Sequence, residues 1–132
     1  MRKRAAWILI LLILPLAGCA AVVAGGAAVT AGTGTYLYVN GEMRTDYPNG
    51  FEEVWKACEK TVASMRGVDV VPAKEISEGT IEATIDGERV RISVKYKAMK
   101  ATTVAIRVGI IGNEQSSQFL HDKILEFLTR SS

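Results

Sequence analysis

Two runs of alternating apolar and polar residues, separated by an Asp-Gly dipeptide at residues 86–87, constrain the fold of this chain more than any other feature. Such alternation is typical of half-buried strands, and Asp-Gly is favourable in a two-residue hairpin turn. Counting outward from the turn places Ile81 opposite Ile92 and Glu82 opposite Arg91. The sequence therefore predicts an antiparallel hairpin with one apolar and one charged face.

The remaining periodicity adds two amphipathic helices and further strands to this hairpin. The predicted segments are, in order, a strand at residues 36–44 with a bend or bulge at Asn40-Gly41, a helix at 51–65, a strand at 68–72, the hairpin, a strand at 104–108 and a helix at 114–130. The element order is thus β-α-β-β-β-β-α. We expect an α+β two-layer sandwich, an antiparallel sheet of about five strands with both helices on its one apolar face.

The N-terminus has the segment order of a secretory signal peptide. Three basic residues, Arg2 to Arg4, precede an apolar run at residues 5–14, and Pro15 ends this run. The next four residues, Leu16-Ala17-Gly18-Cys19, resemble the lipobox of bacterial lipoproteins. The resemblance implies that residues 1–18 are a lipoprotein signal peptide, removed after lipid is attached to the Cys19 thiol.

A lipid on Cys19 would anchor the protein permanently, because several acyl chains each contribute about 0.8 kcal/mol per buried methylene. We expect the cell envelope as the location. The residue after the cysteine is Ala20 and not Asp. This resembles the pattern of lipoproteins that are sorted to the outer membrane, so in a Gram-negative organism we expect the protein on that membrane, facing the periplasm. The alternative is an uncleaved membrane helix, since no charged residue occurs between Arg4 and Glu42, although Pro15 and several glycines disfavour one continuous helix.

Residues 20–35 are all Ala, Gly, Val or Thr, so the segment has no charged residue. We interpret residues 19–35 as the lipidated cysteine and a flexible Ala/Gly-rich tether to a single α+β domain at residues 36–132. The alternative is that these small residues, at near-helical spacing, pack in or on the membrane.

Charge and cysteine content narrow the class of protein. The chain has 16 basic and 14 acidic residues, and loss of the three basic residues before the apolar run leaves 13 basic residues and a net charge near −1. This charge does not favour a nucleic-acid partner. Of the two cysteines, Cys58 lies on the apolar side of the first helix and is expected to be a buried thiol.

The charged face of the predicted sheet is the candidate binding surface. We expect it to carry five basic residues, Arg89, Arg91, Lys95, Lys97 and Arg107, with Glu82 as the main nearby acid. Such a face could bind an anionic envelope polymer, lipid headgroups or an acidic envelope protein. The alternative is a solvated face that keeps the sheet soluble and its edges unpaired.

Candidate catalytic groups are sparse. His121, beside Asp122 on the second helix, is expected to be solvated, and Ser116-Ser117 has no adjacent base. Trp55 is expected to pack in the core. Because no metal or phosphate motif is present, we expect no cofactor, no metal site and no enzymatic activity.

Several motifs together resemble a known family. These are the lipobox, the small-residue stretch, the Tyr-rich first strand, the helix start Phe51-Glu52-Glu53-Val54-Trp55, and Ile106-Arg107-Val108-Gly109 followed by Gly112. The chain is similar to the small bacterial lipoproteins grouped as DUF3568, which implies an envelope location and no established activity. We expect a non-enzymatic, membrane-anchored binding or structural module. The alternative is a carrier holding a small apolar or lipid ligand between helices and sheet.

Overall fold

A computed structural model describes residues 27–31 and 34–131 as one sheet with two helices. The elements are β1 (Ala27–Ala31), β2 (Gly34–Val39), β3 (Glu42–Tyr47), α1 (Phe51–Ser64), β4 (Val68–Lys74), β5 (Glu78–Ile85), β6 (Glu88–Ala98), β7 (Ala101–Val108) and α2 (Glu114–Ser131). All neighbouring strands pair antiparallel, in the order β1-β2-β3-β7-β6-β5-β4. The predicted α+β class is confirmed.

The central hairpin has the predicted register. Ile81 pairs with Ile92 and Glu82 with Arg91 between β5 and β6. Asp86 and Gly87 both have positive φ, 51° and 79°, as a type I′ turn requires. The alternation of side chains thus places one residue set of each strand against the helices and the other in solvent.

The sheet has more strands than the five or so predicted, because the segment at residues 36–44 is a hairpin and not a single strand. Asn40 and Gly41 both have positive φ, 52° and 81°, so they form a tight turn between β2 and β3. Asn-Gly is a strong hairpin signal, and β3, EMRTDY, alternates charged with uncharged residues, but β2, GTYLYV, has no polar–apolar alternation that marks it as a separate strand.

A further strand lies within the segment predicted to be the tether. β1, Ala27–Ala31, pairs with β2 from Ala27 opposite Tyr38 to Ala31 opposite Gly34. The sheet therefore begins before the predicted domain boundary at residue 36. Its sequence, AAVTA, has too little contrast between apolar and polar residues to show the two-residue period of a strand.

Both helices pack on the same face of the sheet, which we call the inner face. Inward residues of β5, β6 and β7, such as Ile81, Ile92 and Ile106, are fully buried against them. The opposite face, the outer face, is open to solvent. No helix in residues 27–31 and 34–131 is both long enough and apolar enough to cross a bilayer.

Trp55 of α1 lies against the sheet at a position where β5 has no side chain. A Cβ added to Gly79 would lie 2.9 Å from Cη2 of Trp55 and nearer still to Cζ3. The ring is buried and stacks on Phe51 with 6.3 Å between centroids, so it has little room to move. Trp55 is therefore a core residue, as its spacing predicted, and Gly79 makes the space that it fills.

We expect Gly79→Ala to lower the free energy of unfolding by about 2 kcal/mol, because the added methyl overpacks the core against the Trp55 ring. Urea unfolding followed by circular dichroism measures the change. In a Trp55→Phe background, whose smaller ring lacks the contacting atoms, the same substitution is expected to cost much less. An equal cost in both backgrounds would show that the Trp55 contact is not the cause.

Candidate functional site

The outer face is cationic along its middle strand. Positions 89, 91, 93, 95 and 97 of β6 point away from the helices, and four of these five residues are basic. We call Arg89, Arg91, Lys95 and Lys97 the cationic stripe. At about 3.3 Å per residue the stripe is about 26 Å long. The structure therefore places four of the five predicted basic residues on one line of the sheet.

The two ends of the stripe form salt bridges, whereas Arg91 and Lys95 in its middle form none in the part of the chain that the structure describes, although Glu82 and Glu78 are opposite them on β5. Lys97 Nζ lies 2.5 Å from Asp46 Oδ2, and Arg89 lies 4.0 Å from Glu82. The Lys97 ammonium, and a hydrogen bond from Thr103, lower the pKa of Asp46. Within the described residues, Arg91 and Lys95 form no salt bridge and no side-chain hydrogen bond.

Small side chains surround the middle of the stripe. Ser93 lies between Arg91 and Lys95, and its partners across the sheet are Thr80 on β5 and Ala105 on β7. Shallow grooves of about 340 and 230 Å³ flank Ser93 on its β5 and β7 sides, and Arg91 and Lys95 line both of them. The middle of the outer face thus combines two available cations with room for an approaching group.

Arg107 lies on the same face but has a structural role. Its guanidinium donates hydrogen bonds to the carbonyl oxygens of Asn40, at 2.6 Å, and Ile110, at 3.2 Å. It also lies 3.9 Å from Glu42. Arg107 therefore joins the β2–β3 turn to the loop after β7, and its charge is less available to a partner than that of Arg91, opposite it on β6.

His121 is buried, and the prediction that it is solvated is wrong. Its exposed fraction is 0%. Nε2 lies 2.8 Å from the carbonyl oxygen of Met43, and because a carbonyl only accepts, Nε2 carries the proton. Nδ1 then accepts from the Tyr47 hydroxyl at 2.8 Å, and the same hydroxyl oxygen lies 3.0 Å from the His121 carbonyl oxygen, so the two acceptors share one proton.

A second tyrosine extends this buried cluster towards the sheet edge. The ring of Tyr36 stacks on His121 with 5.2 Å between centroids, and its hydroxyl donates to Asp122 at 3.0 Å. The cluster thus connects α2 to both β2 and β3. The sequence did contain one signal for the burial of His121. The helical spacing of Leu120, Ile124 and Leu128 places His121 next to the buried side of α2.

Burial lowers the pKa of His121 to about 4, and the Met43 carbonyl opposes this only in part. The imidazole is therefore neutral at physiological pH. Burial also raises the pKa of Tyr47. Both groups are enclosed by the core and hydrogen-bonded to each other, so their arrangement is that of a structural clamp between a helix and a strand.

The other candidate reactive groups, the Cys58 thiol and the Ser117 hydroxyl, are buried in the core. Cys58 is buried, as predicted, and burial raises the pKa of its thiol, which disfavours the reactive thiolate. Ser117 is buried, and its hydroxyl has no hydrogen-bond partner in the described part of the chain. Residues 27–31 and 34–131 include no group of three His, Cys, Asp or Glu side chains arranged to hold a metal ion.

An apolar cleft lies at one end of the helix layer. It has a volume of about 300 Å³ and opens between the start of α2 and the β5–β6 hairpin. Its apolar lining consists of Met65, Ile85, Val90, Val108, Phe119 and Leu120. The cleft offers a small ligand apolar surface next to the helix–sheet core, with Asp86, Glu88, Gln115 and Ser116 as its polar lining.

Residues 4–126 match the family model described as "Protein of unknown function (DUF3568)". The chain belongs to this family. The match includes the whole sheet, α1 and most of α2, together with Cys19, which lies outside the described residues. A comparison with curated proteins gives no match.

We expect the stability of the fold to fall by about 3 kcal/mol between pH 7 and pH 4 through His121 alone. The pKa of His121 is about 4 in the folded protein, whereas an exposed histidine in the unfolded chain has the ordinary value of 6.5. The unfolded chain therefore binds more protons in this interval, and stability is lost as the pH falls. Urea unfolding at a series of pH values measures the loss.

His121→Gln is the matched control for this pH dependence, because the amide does not titrate and retains a donor for Met43. Carboxylates contribute equally in both proteins, so the difference between the two pH profiles isolates His121. Parallel profiles for the wild type and His121→Gln would contradict a buried neutral imidazole.

Proposed function

We propose that this protein is a lipid-anchored lipoprotein of the bacterial cell envelope, and that its domain binds an acidic partner protein through the cationic stripe. The anchor is Cys19, and the lipobox at residues 16–19 behind a basic and apolar leader supports it. The single observation behind the binding function is the unpaired state of Arg91 and Lys95 beside small residues at the centre of an open sheet face.

The chemistry of the stripe favours a partner with carboxylates on a raised surface. Arg91 offers a planar guanidinium that fits a carboxylate with two hydrogen bonds, and Lys95 adds a point charge four residues further along the strand, about 13 Å away. The Lys97 and Asp46 side chains are both more than two-fifths exposed, and an exposed ion pair contributes at most about 1 kcal/mol. A partner carboxylate can therefore compete for Lys97 as well.

Both acids and bases on the outer face restrict what can bind. Glu78 and Glu82 on β5 and Asp46 and Glu42 on β3 lie on either side of the stripe. A uniformly anionic surface would be attracted by the stripe but repelled by these four carboxylates. A protein surface with alternating charges matches the pattern better, because charge complementarity sets specificity as well as attraction.

A carrier of a small apolar ligand is the second candidate, and the cleft beside Phe119 is the observation that favours it. Its volume of about 300 Å³ is at the lower limit for small-molecule sites. The helix–sheet interface behind it is filled by side chains such as Trp55 and Ile92. Native mass spectrometry of the purified protein tests this function, which a stoichiometric retained lipid or apolar molecule would support.

Charge reversal on the stripe tests the binding function. With a photo-crosslinking residue at Ser93 in intact cells, we expect a discrete adduct in the parent protein and its loss in Arg91→Glu/Lys95→Glu, because the partner's carboxylates are then repelled. Adduct yield is measured on immunoblots, and the adduct is identified by mass spectrometry.

Lys56→Glu/Lys60→Glu on the exposed side of α1 is the matched control, since it makes the same charge change on the opposite layer of the domain. We expect this variant to retain the Ser93 adduct. If both double variants lose the adduct equally, or neither does, the stripe is not the binding surface.

A further inference from the structure

Two adjacent isoleucines project from the loop between β7 and α2. Ile110 and Ile111 are 91% and 88% exposed, although the loop is only five residues long. The same end of the sheet includes the turns at residues 40–41 and 86–87 and, nearby on α2, the half-exposed ring of Phe119. We call it the Ile110 end, and the opposite end, with the β6–β7 turn at residues 99–100, the Met99 end.

The backbone holds this isoleucine pair in place. The Arg107 guanidinium donates to the carbonyl oxygens of Ile110 and Asn40, and the N–H of Gly109 donates to the carbonyl oxygen of Arg89 at 2.7 Å. A Cβ on Gly41 would lie 2.5 Å from the Ile111 carbonyl oxygen. The turn and the loop are thus in close backbone contact, and the two apolar side chains are presented on a fixed support instead of folding back onto the core.

The chain enters the sheet from the same side. β1 is antiparallel to β2, and Ala27 pairs with Tyr38, two residues before the Asn40-Gly41 turn. Ala27 is therefore the end of β1 that lies towards the Ile110 end. Cys19 is eight residues earlier in the sequence, so it can be at most about 28 Å from Ala27.

From this geometry we infer that the Ile110 end of the domain rests on the lipid bilayer, with Ile110 and Ile111 inserted at the interface. The inference depends on the lipid anchor on Cys19 proposed above. A short anchor keeps one end of the domain near the membrane, and the end nearest the anchor has two apolar side chains with no cover. The lipid surface is the partner that covers them.

Charges near the loop limit the insertion to these two side chains. Asp86 and Glu88 in the adjacent hairpin, and Glu114 at the start of α2, are exposed at the same end together with Arg66 and Arg89. Charged groups of both signs remain at headgroup level, because their transfer into the acyl region is costly. The strands then lead away from the bilayer, and the cationic stripe extends from Arg89 near the membrane to Lys97 furthest from it.

Tryptophan reporters test the orientation in the mature lipidated protein, which begins at Cys19 and therefore lacks Trp7. Ile111→Trp places an indole at the Ile110 end, and Met99→Trp is the matched control, since Met99 is 81% exposed at the tip of the opposite end. Both proteins are reconstituted in vesicles of phosphatidylethanolamine and phosphatidylglycerol, with and without brominated acyl chains. Trp55 is buried in both and gives a common background.

We expect bromine to quench the Ile111→Trp emission several-fold more than that of Met99→Trp, and shallow bromines to quench it more than deep ones. Ile110→Trp is an independent second reporter with the same expected result. If both proteins float with the vesicles and the two ends are quenched equally, or Met99→Trp more, the inferred docking is wrong while the anchor stands. If neither protein floats, the anchor itself fails and the docking inference fails with it.

Discussion

One-sided burial of the sheet is the constraint on which the rest of this structure depends. Seven strands at about 4.8 Å spacing are about 30 Å wide, whereas two packed helices cover about 20 Å. The helices therefore lie over β3, β5, β6 and β7 and leave the edge strand β4 exposed along all seven residues. A register shift between Val68 and Val71, together with Pro72, makes this edge unfavourable for pairing. The outer face of β3, β5, β6 and β7 remains available for recognition.

The buried cluster around His121 connects helix α2 to the N-terminal strands β2 and β3. Without it, α2 would contact the N-terminal strands through apolar packing alone, and packing tolerates sliding better than directed hydrogen bonds do. Through Met43 and Tyr47 the helix instead has a fixed position over β3, and Tyr36 extends the link to β2. β2, with which β1 pairs, is thus firmly part of the domain, so an anchor that precedes β1 can set the orientation of the outer face.

Local periodicity was enough to predict both helices and the central hairpin with its register, because a helix or hairpin needs only neighbours in sequence. It also placed Arg89, Arg91, Lys95 and Lys97 on one face. β1 was missed because its sequence, AAVTA, has too little contrast between apolar and polar residues. The burial of His121 was missed for a different reason: its partners, Met43 and Tyr47, are 78 and 74 residues away in the sequence, and only the tertiary fold brings them together.

The lipid anchor is the claim on which both the envelope location and the membrane-facing end depend. Its most direct test is the intact mass of protein extracted from membranes, for the wild type and for Cys19→Ala. A wild-type chain that begins at Cys19 with added acyl mass, absent from the variant, is the result expected. A wild-type chain that retains Met1 and has no lipid would contradict the anchor and, with it, the proposed orientation of the cationic stripe.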